Sequence, residues 1–396
     1  MPKQGCVNIA MIGQAFMGRA HSNAWPQAQK FCEPRLTPVM HTLCARDRPS
    51  LEAFARRWGW QRASTDWRQV VASPEIDLVD IAAPNNLHAE MAVAALQAGK
   101  HVACEKPLAG TLNDARTMVQ AARKAKSRTF VWYSYRRCPA VAFAHQLVRR
   151  GRLGRIRHVR ALYLQDWADE NVPLMWRFDK KIAGSGSHGD LNAHVIDMTR
   201  FVTGEEITEI CGAISETFIK KRNVMTGRAA GGIAAGLHAG SRKAKVTVDD
   251  TVLFLARFSG GAVASFECTR QATGNRNHNG FELNGTKGSL RFNFERMNEL
   301  DFFDAAADTD TQGWTTINCT TGGSHPWAEF WWPTAHGLGY EHTFVNQAYD
   351  ILQALAGKKP PVPLSDFEDA YQVQRVLEAA MVSAVEKRWV KLADVK

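Results

Sequence analysis

Long hydrophobic runs are missing from this sequence of 396 residues. No apolar stretch approaches the roughly 20 residues that a membrane-spanning helix needs. Residues 1–12 pass from a polar start into a strand-like run, without the apolar core and cleavage site of a secretory signal. The eight cysteines are scattered singly with no CxxC pair, which is typical of a reducing compartment. We therefore expect a cytoplasmic protein that does not associate with membranes.

A concentrated basic surface is also missing, although the formal net charge is +10. Basic residues attract phosphate, but the densest group, from Arg149 to Arg157, is interrupted by two glycines, as at a helix end followed by a turn. No nucleic-acid-binding motif accompanies it. No metal-ligand spacing occurs among the histidines His325, His336 and His342. The sequence therefore predicts no nucleic-acid partner and no metal site.

A glycine-rich turn follows the first apolar run of the chain. Residues 7–12 are typical of a buried parallel strand, and a helix is expected to begin near Arg19. Between them lies the turn Gly13-Gln14-Ala15-Phe16-Met17-Gly18. This order is that of a dinucleotide site, in which the first glycine permits the turn and the last allows close packing. Ala15 stands where the middle glycine normally lies, and the motif alone is equally compatible with an ordinary strand-to-helix turn.

Alternating strands and helices after this turn predict a doubly wound parallel sheet. The predicted strands are 39–43, 76–82, 101–104 and 129–135, and the predicted helices are 50–58 and 88–98. Such alternation favours an α/β architecture with an N-terminal Rossmann domain, which we assign to residues 1–135. Its ligand should lie at the carboxyl ends of the strands.

Polar residues follow two of these carboxyl ends. The first group is Pro84, Asn85 and His88, and the second is Glu105-Lys106-Pro107. Both should therefore lie beside the dinucleotide. The Lys-Pro step, through a trans or a cis bond, would turn the chain and aim the Lys106 ammonium at the crevice. A surface lysine before a helix-starting proline is the alternative.

The choice of cofactor depends on the end of the second strand. An acidic residue there would bond the ribose of NAD, whereas Arg46 could hold the 2′-phosphate of NADP. Asp47 lies slightly late for the acidic role. The residues alone therefore leave NAD and NADP as open alternatives.

The remainder of the chain, residues 136–396, has the pattern of a second domain. A helix is predicted at 140–150, followed by the strands 156–165, 207–216, 250–258, 262–270, 280–284 and 289–293. These strands indicate an α+β domain with a large, mostly antiparallel sheet that is covered on one face and open on the other. Residues 241–248 and 308–324 are predicted as loops or weak edge strands. A capping box at 365–368 predicts a helix to about residue 386, before a short strand at 389–392.

A polar cluster follows a glycine-rich segment of this second domain. If a helix begins near Asp190, then Asp190, His194 and Asp197 lie on one face of it. A carboxylate beside an imidazole raises its basicity, so the first two could handle a proton. The structural alternative is that Asp190 caps the helix and His194 packs in the core.

In combination, these segments resemble the glucose-fructose oxidoreductase and inositol dehydrogenase family, Gfo/Idh/MocA. The likeness covers nearly the whole chain and includes the turn at 13–18, the 83–88 segment, Glu105-Lys106-Pro107 and the 189–197 segment. The resemblance implies a Rossmann domain, a second domain whose open sheet forms a homo-oligomer, and a substrate pocket between the two. It also implies that Lys106, Asp190 and His194 are catalytic.

Further segments resemble the branch that contains levoglucosan dehydrogenase and glycoside 3-dehydrogenases. They are residues 16–22, 135–137, 164–167, 331–333 and 340–344. This resemblance implies Tyr133, Gln165 and Trp167 as substrate contacts and NAD as the cofactor, with NADP as the alternative. It implies oxidation of a secondary hydroxyl of a sugar or cyclic polyol, for example at C3 of a glucoside or anhydrosugar. An NAD-dependent glycosidase and a non-catalytic nucleotide sensor are the alternatives on the same fold.

Overall fold

The chain divides into two compact units in the computed structural model, which describes residues 5–226 and 238–395. The first unit holds residues 5–134 and 340–371, and the second holds residues 135–226, 238–339 and 372–395. The contiguous division into domains 1–135 and 136–396 stays a prediction. The packing groups residues 340–371 with the N-terminal unit, because a helix of this segment packs on the first helix of the chain.

The first unit contains a sheet of six parallel strands. These are β1 (Cys6–Ile12), β2 (Thr37–Cys44), β3 (Arg62–Ser64), β4 (Leu78–Ile81), β5 (His101–Cys104) and β6 (Thr129–Val131). Their order across the sheet is β3-β2-β1-β4-β5-β6. The direction in which strands are added reverses between β1 and β4, and open α/β sheets bind their ligands at such a point. The predicted Rossmann architecture is confirmed.

The second unit contains a larger sheet and a two-stranded one. Its strands are β7 (Ile156–Leu164), β8 (Ile207–Glu216), β9 (Lys221–Thr226), β10 (His238–Lys245), β11 (Thr251–Phe258), β12 (Val263–Thr269), β13 (His278–Gly285), β14 (Gly288–Asn293), β15 (Glu299–Asp304), β16 (Trp314–Asn318) and β17 (Val390–Lys391). The order of the nine-stranded sheet is β16-β15-β14-β13-β7-β12-β11-β8-β17, and β9 pairs with β10. Among the described strands of the nine-stranded sheet, only β7 and β12 pair in parallel. The mostly antiparallel sheet is therefore confirmed.

One face of the large sheet is covered and the other is open, as the alternating sequence pattern indicates. In β11, Val252, Phe254 and Ala256 are buried, whereas Leu255 between them is 51 % exposed. Neighbouring side chains of β11 point to opposite faces because a strand repeats every two residues. Of the two segments predicted as loops or weak edge strands, 241–248 overlaps β10, which pairs with β9. The other, 308–324, contains β16, which is an edge strand of the large sheet.

The helices complete both units. They are α1 (Phe16–Cys32), α2 (Arg48–Trp58), α3 (Trp67–Ala72), α4 (His88–Gln97), α5 (Leu112–Lys124), α6 (Pro139–Arg149), α7 (Lys180–Ala183), α8 (Ala193–Thr203), α9 (Tyr340–Leu355) and α10 (Phe367–Glu386). The helix α9 packs on α1 within the first unit, and α6 and α8 pack against each other within the second. Over residues 5–226 and 238–395, no helix combines the length and the apolar character that crossing a membrane requires.

The starts of α1 and α10 differ from the sequence prediction. The helix α1 begins at Phe16 rather than near Arg19, so its first turn lies inside the glycine-rich segment. At α10 the capping group is Asp366 rather than Ser365, since the Asp366 carboxylate accepts from the backbone N–H of Asp369 at 2.9 Å. A side-chain oxygen that caps a helix must reach an N–H one turn ahead, and Asp366 is the residue immediately before the helix.

Candidate active site

Neither Gly13 nor Gly18 in the glycine-rich turn has space for a side chain. Gly13 has a φ of 124°, and a Cβ atom on it would lie 2.3 Å from the carbonyl oxygen of Ala82. A Cβ atom on Gly18 would lie 2.5 Å from the carbonyl oxygen of Gly13. The first glycine therefore makes the turn and the last brings α1 close to it, as a dinucleotide site requires. The N–H groups in the first turn of an α-helix have no partner within the helix, and at α1 such groups suit a pyrophosphate, so these residues fit NAD.

Replacing Gly13 with Ala should abolish binding of NADH, because the added methyl group meets backbone that cannot move without opening the turn. Gly59→Ala is the matched control, since Gly59 also has a positive φ, 80°, but has open space around its Cβ position. The control should cost about 1 kcal/mol of unfolding free energy and leave NADH binding intact. Titration of NADH fluorescence checks both variants. Binding by Gly13→Ala that matches the control would contradict this role of the turn.

The residues inside the turn are placed to line the cofactor surface. Ala15 precedes α1 with a φ of −77°, which any residue adopts, so its conformation does not require the glycine of the usual motif. Phe16 and Met17 are partly buried in the first turn of α1, and the Phe16 ring stacks on Tyr340 with centroids 6.3 Å apart. Their contact with the cofactor stays a prediction.

Beyond the end of β2, an acidic side chain is connected to the glycine-rich turn. Asp47 accepts a hydrogen bond from the hydroxyl of Ser50 at 2.6 Å, and that hydroxyl accepts from the amide of Gln14 at 2.7 Å. Arg46 is exposed. A carboxylate near the turn suits the ribose of NAD. By its sequence position alone, Asp47 lies slightly late for this role.

His88 contacts backbone carbonyl groups on both sides of its ring. Its Nε2 lies 2.9 Å from the Ala83 oxygen, and its Nδ1 lies 3.1 Å from the Pro107 oxygen and 3.3 Å from the Leu108 oxygen. Burial lowers the pKa of His88. The ring therefore joins the chain after β4 to the loop after β5, while Pro84 and Asn85 begin the short 3-10 helix in front of it. Its assignment as a cofactor contact stays a prediction.

The loop after β5 carries Lys106, and buried groups hold it. The Lys106–Pro107 peptide bond is cis. The Glu105 carboxylate is 5 % exposed, and its Oε2 accepts from the backbone N–H of Lys106 at 3.1 Å. Its Oε1 lies 3.1 Å from Nε2 of His21. The sequence position places Glu105 beside the cofactor, and its two oxygens contact His21 and the backbone N–H of Lys106. Its assignment as a cofactor contact stays a prediction.

The segment with Asp190 and His194 begins with a π turn rather than a regular helix. The π turn covers His188–Asn192 and continues into α8, so the predicted regular spacing from Asp190 is wrong. Asp190 accepts from the Arg270 guanidinium at 2.7 Å. Asp197 is buried and accepts two hydrogen bonds from Arg136, one of them at 2.9 Å. Wide turns of this kind are frequent at functional sites.

His194 lies among aromatic rings of the second unit. Its ring centroid is 4.5 Å from that of Tyr135 and 5.9 Å from that of Tyr163. The hydroxyl groups of the two tyrosines are 3.0 Å apart. The side chain of His194 is 8 % exposed, so a substrate would reach only an edge of the ring.

Two of the predicted substrate contacts belong to the same unit as His194. The Gln165 amide accepts from the Trp167 indole N–H and donates to Asn277, both at 2.8 Å. The Arg270 guanidinium lies over the Trp167 ring, 5.2 Å from its centroid, and pairs with Asp190. Hydrogen bonds and ring contacts thus connect Trp167 and Gln165 with the catalytic candidates of this unit. Tyr133, which is buried, and Lys106 belong to the first unit.

Sequence reasoning gave no role to several residues of these clusters. They are His21, Asp80, Tyr163, Arg270 and Asn277. Asp80 carried a usable signal, because an acidic residue inside the apolar strand β4 must find a partner when it is buried. The others are ordinary polar residues at strand ends or in helices, and only their packing reveals their partners.

These features define an oxidoreductase with an NAD-binding domain, and comparisons with known proteins identify its family. Residues 7–133 match the sequence profile of the oxidoreductase family with an NAD-binding Rossmann fold, and residues 141–291 match that of the GFO/IDH/MocA C-terminal domain. The chain belongs to the Gfo/Idh/MocA oxidoreductase family.

Individual relatives are similar over almost the whole chain. Levoglucosan dehydrogenase of Pseudarthrobacter phenanthrenivorans is 42 % identical and covers 98 % of this chain and 99 % of its own. The crystal structure of an oxidoreductase domain protein from Kribbella flavida is 46 % identical, with a TM-score of 0.91 and coverage of 98 % and 100 %. A levoglucosan dehydrogenase in complex with NADH and levoglucosan is 40 % identical, with a TM-score of 0.89 and coverage of 98 % and 99 %.

Proposed function

We propose that this protein is an NAD-dependent dehydrogenase that oxidises a secondary hydroxyl of a sugar or cyclic polyol to a ketone. The observation that carries the proposal is the cluster in the second unit. Arg270 contacts both Asp190 and Trp167, Trp167 donates to Gln165, and His194 lies beside two tyrosines. Carboxylate, amide and indole groups suit the hydroxyls and the apolar faces of a sugar ring. The reaction also needs a bound dinucleotide that accepts the hydride, and the glycine-rich turn of the first unit suits its binding.

Three side chains divide the work on the alcohol. His194 accepts the hydroxyl proton as a general base, which lets the carbinol carbon become a carbonyl. The Lys106 ammonium stabilises the negative charge that develops on the same oxygen. Asp190, held by Arg270, bonds a neighbouring hydroxyl and orients the ring. When bound, NAD+ would supply the acceptor for the hydride that leaves the carbinol carbon.

The substrate class that we propose is a glucoside or an anhydrosugar oxidised at C3. Relatives with names such as levoglucosan dehydrogenase support this class, as does the neutral and aromatic character of Gln165, Trp167 and Tyr133. We further propose a cytoplasmic homo-oligomer that associates through the open face of the large sheet. The half-exposed apolar side chains of Ile214, Leu255 and Val263 on that sheet support such an association.

A panel of sugars and polyols, assayed with NAD+ and NADP+, tests the proposed function. Absorbance of the reduced cofactor should rise with NAD+ and anhydrosugars or glucosides, and the product should be a ketone. Release of a reducing sugar without net NADH would instead indicate the glycosidase. NADH binding without turnover of any member of the panel would favour the nucleotide sensor and contradict the proposal.

A further inference from the structure

A buried histidine connects the glycine-rich helix to the lysine loop. His21 lies on α1 and is fully buried, with Nδ1 3.1 Å from both oxygens of Asp80 and Nε2 3.1 Å from Oε1 of Glu105. The second oxygen of Glu105 accepts from the backbone N–H of Lys106. A single side chain therefore links α1, the central strand β4 and the residue that precedes Lys106.

With both carboxylates ionised, the hydrogen bonds of this cluster require a positive charge on His21. Asp80 already accepts from the indole N–H groups of Trp25 at 3.0 Å and Trp132 at 2.9 Å. Neutral imidazole has one N–H, so it could donate to only one of the two carboxylates and would turn a lone pair toward the other. The imidazolium has two N–H groups and satisfies both. It also offsets part of the cost of burying two negative charges.

The titration of His21 agrees with this reading. Burial by itself lowers the pKa of the ring, but attraction and hydrogen bonds from Asp80 and Glu105 outweigh it and raise the pKa from 6.5 to about 9. Because the folded state holds the proton more tightly than the unfolded chain, the stability that it contributes is complete below pH 6.5 and is lost as pH rises through about 9.

Aromatic and titratable side chains surround the ring. Trp132 stacks on it with centroids 4.2 Å apart, and Phe344 of α9 lies 5.7 Å away. Titratable neighbours of the two carboxylates include Cys104, His88 and Lys106, which follows Glu105 in the chain. Burial raises the pKa of Cys104 and lowers that of His88, so it disfavours the charged form of both. The opposite charges in contact with the ring are those of Asp80 and Glu105.

We propose that His21 is a positioning residue for Lys106, because its imidazolium fixes Glu105 and Glu105 in turn fixes the backbone of the lysine loop. The inference rests on the proposed role of Lys106 in alcohol oxidation. It adds a physical link between the helix that begins at the glycine-rich turn and the side chain that acts on the substrate. Loss of the link should disturb turnover more than nucleotide binding.

The charge state of His21 can be measured without any variant. Nitrogen-15 NMR of the ring in the whole protein should show both ring nitrogens protonated at neutral pH, with loss of one proton at alkaline pH. A ring with one protonated nitrogen at neutral pH would overturn the proposal. This measurement does not depend on activity, so it stays informative if the sugar panel fails.

Replacing His21 with Asn tests the effect on Lys106. The variant should lower kcat roughly 10- to 100-fold, the size expected for a small misplacement of a catalytic group, while the Kd for NADH changes little. Hydrogen exchange of peptides that contain the Lys106 amide should become faster. His41→Asn is the matched control, because His41 is also a buried ring in the first unit, and its neighbours Thr42, at 2.8 Å, and Glu75, at 4.0 Å, lie outside the lysine loop. It should change neither quantity.

Replacing Glu105 with Gln separates position from charge. A glutamine can accept from the Lys106 N–H through its oxygen and donate to a neutral His21 through its nitrogen. The hydrogen bonds therefore persist with one proton fewer on the His21 ring. The variant should lose less kcat than His21→Asn, and its His21 should lose a proton at lower pH. Equal loss of kcat in both variants, or unchanged kcat and hydrogen exchange in His21→Asn, would overturn the proposal. Failure of the wild-type sugar assay alone would instead count against the proposed function.

Discussion

Replacing Lys106 with Met should lower kcat by about 10³-fold, in the range that loss of one charged donor to a developing oxyanion produces. Methionine keeps the length and apolar stem of lysine and removes only the ammonium. The Kd for NADH should stay close to that of the wild type, because the glycine-rich turn and the start of α1 remain intact. Single-turnover formation of NADH with excess enzyme checks the chemical step directly.

Lys124→Met is the control for this substitution. Lys124 is exposed in the last turn of α5, in the same unit, and the same change there should leave turnover and NADH binding as in the wild type. If Lys106→Met turns over substrate nearly as fast as Lys124→Met, the assignment of Lys106 as a catalytic group is wrong.

Replacing His194 with Asn should lower kcat by roughly 10²- to 10⁴-fold, the contribution typical of a general base. Asparagine can still form hydrogen bonds beside Tyr135 and Tyr163 but cannot accept the proton. The wild-type rate should fall at acidic pH because a protonated imidazole is no base, and this dependence should vanish in the variant. His158→Asn, on the strand β7 of the same unit, serves as the control and should keep the wild-type profile.

The two largest effects should not multiply. If Lys106 and His194 act on the same oxygen in one step, the double variant Lys106→Met/His194→Asn should lose much less than the product of the single losses, as residues that work as a unit do. Measurement of kcat/KM for the four proteins gives the coupling. A loss equal to the product would mean that the two residues act independently, and the proposed division of work would be wrong.

The sequence predicted the framework of the site well, because local patterns determine it. The strand His101–Cys104 and the strand Ile207–Glu216 begin and end where the sequence pattern indicates. Short apolar runs bounded by turn residues predict strands, and so do long alternating runs. Neither prediction requires knowing which strands will pair. The glycine-rich turn could be recognised from its position between an apolar strand and a helix, whereas the steric need for glycine at residue 13 comes from Ala82, which is distant in the chain.

The contacts of the polar side chains could not be predicted in this way. His88 and Glu105 stand at strand ends, where sequence reasoning expects cofactor contacts. The ring nitrogens of His88 instead lie within 3.3 Å of three backbone carbonyl oxygens, and Glu105 bonds His21 and a backbone N–H. The direction of a side chain at a strand end depends on which loop packs beside it. No periodicity encodes that choice.

By itself, the sequence determined the class of fold, the place of the dinucleotide turn and the segments that carry Lys106 and His194, because strand and helix periods and the spacing of glycines in a turn involve neighbouring residues. Only the tertiary structure decided which groups those segments contact. It made His21 a link between α1 and the lysine loop and paired Asp190 with Arg270. It also changed a regular helix at Asp190 into a π turn. The reason is that buried charges and hydrogen-bonding groups must find partners, and those partners lie far away in the chain.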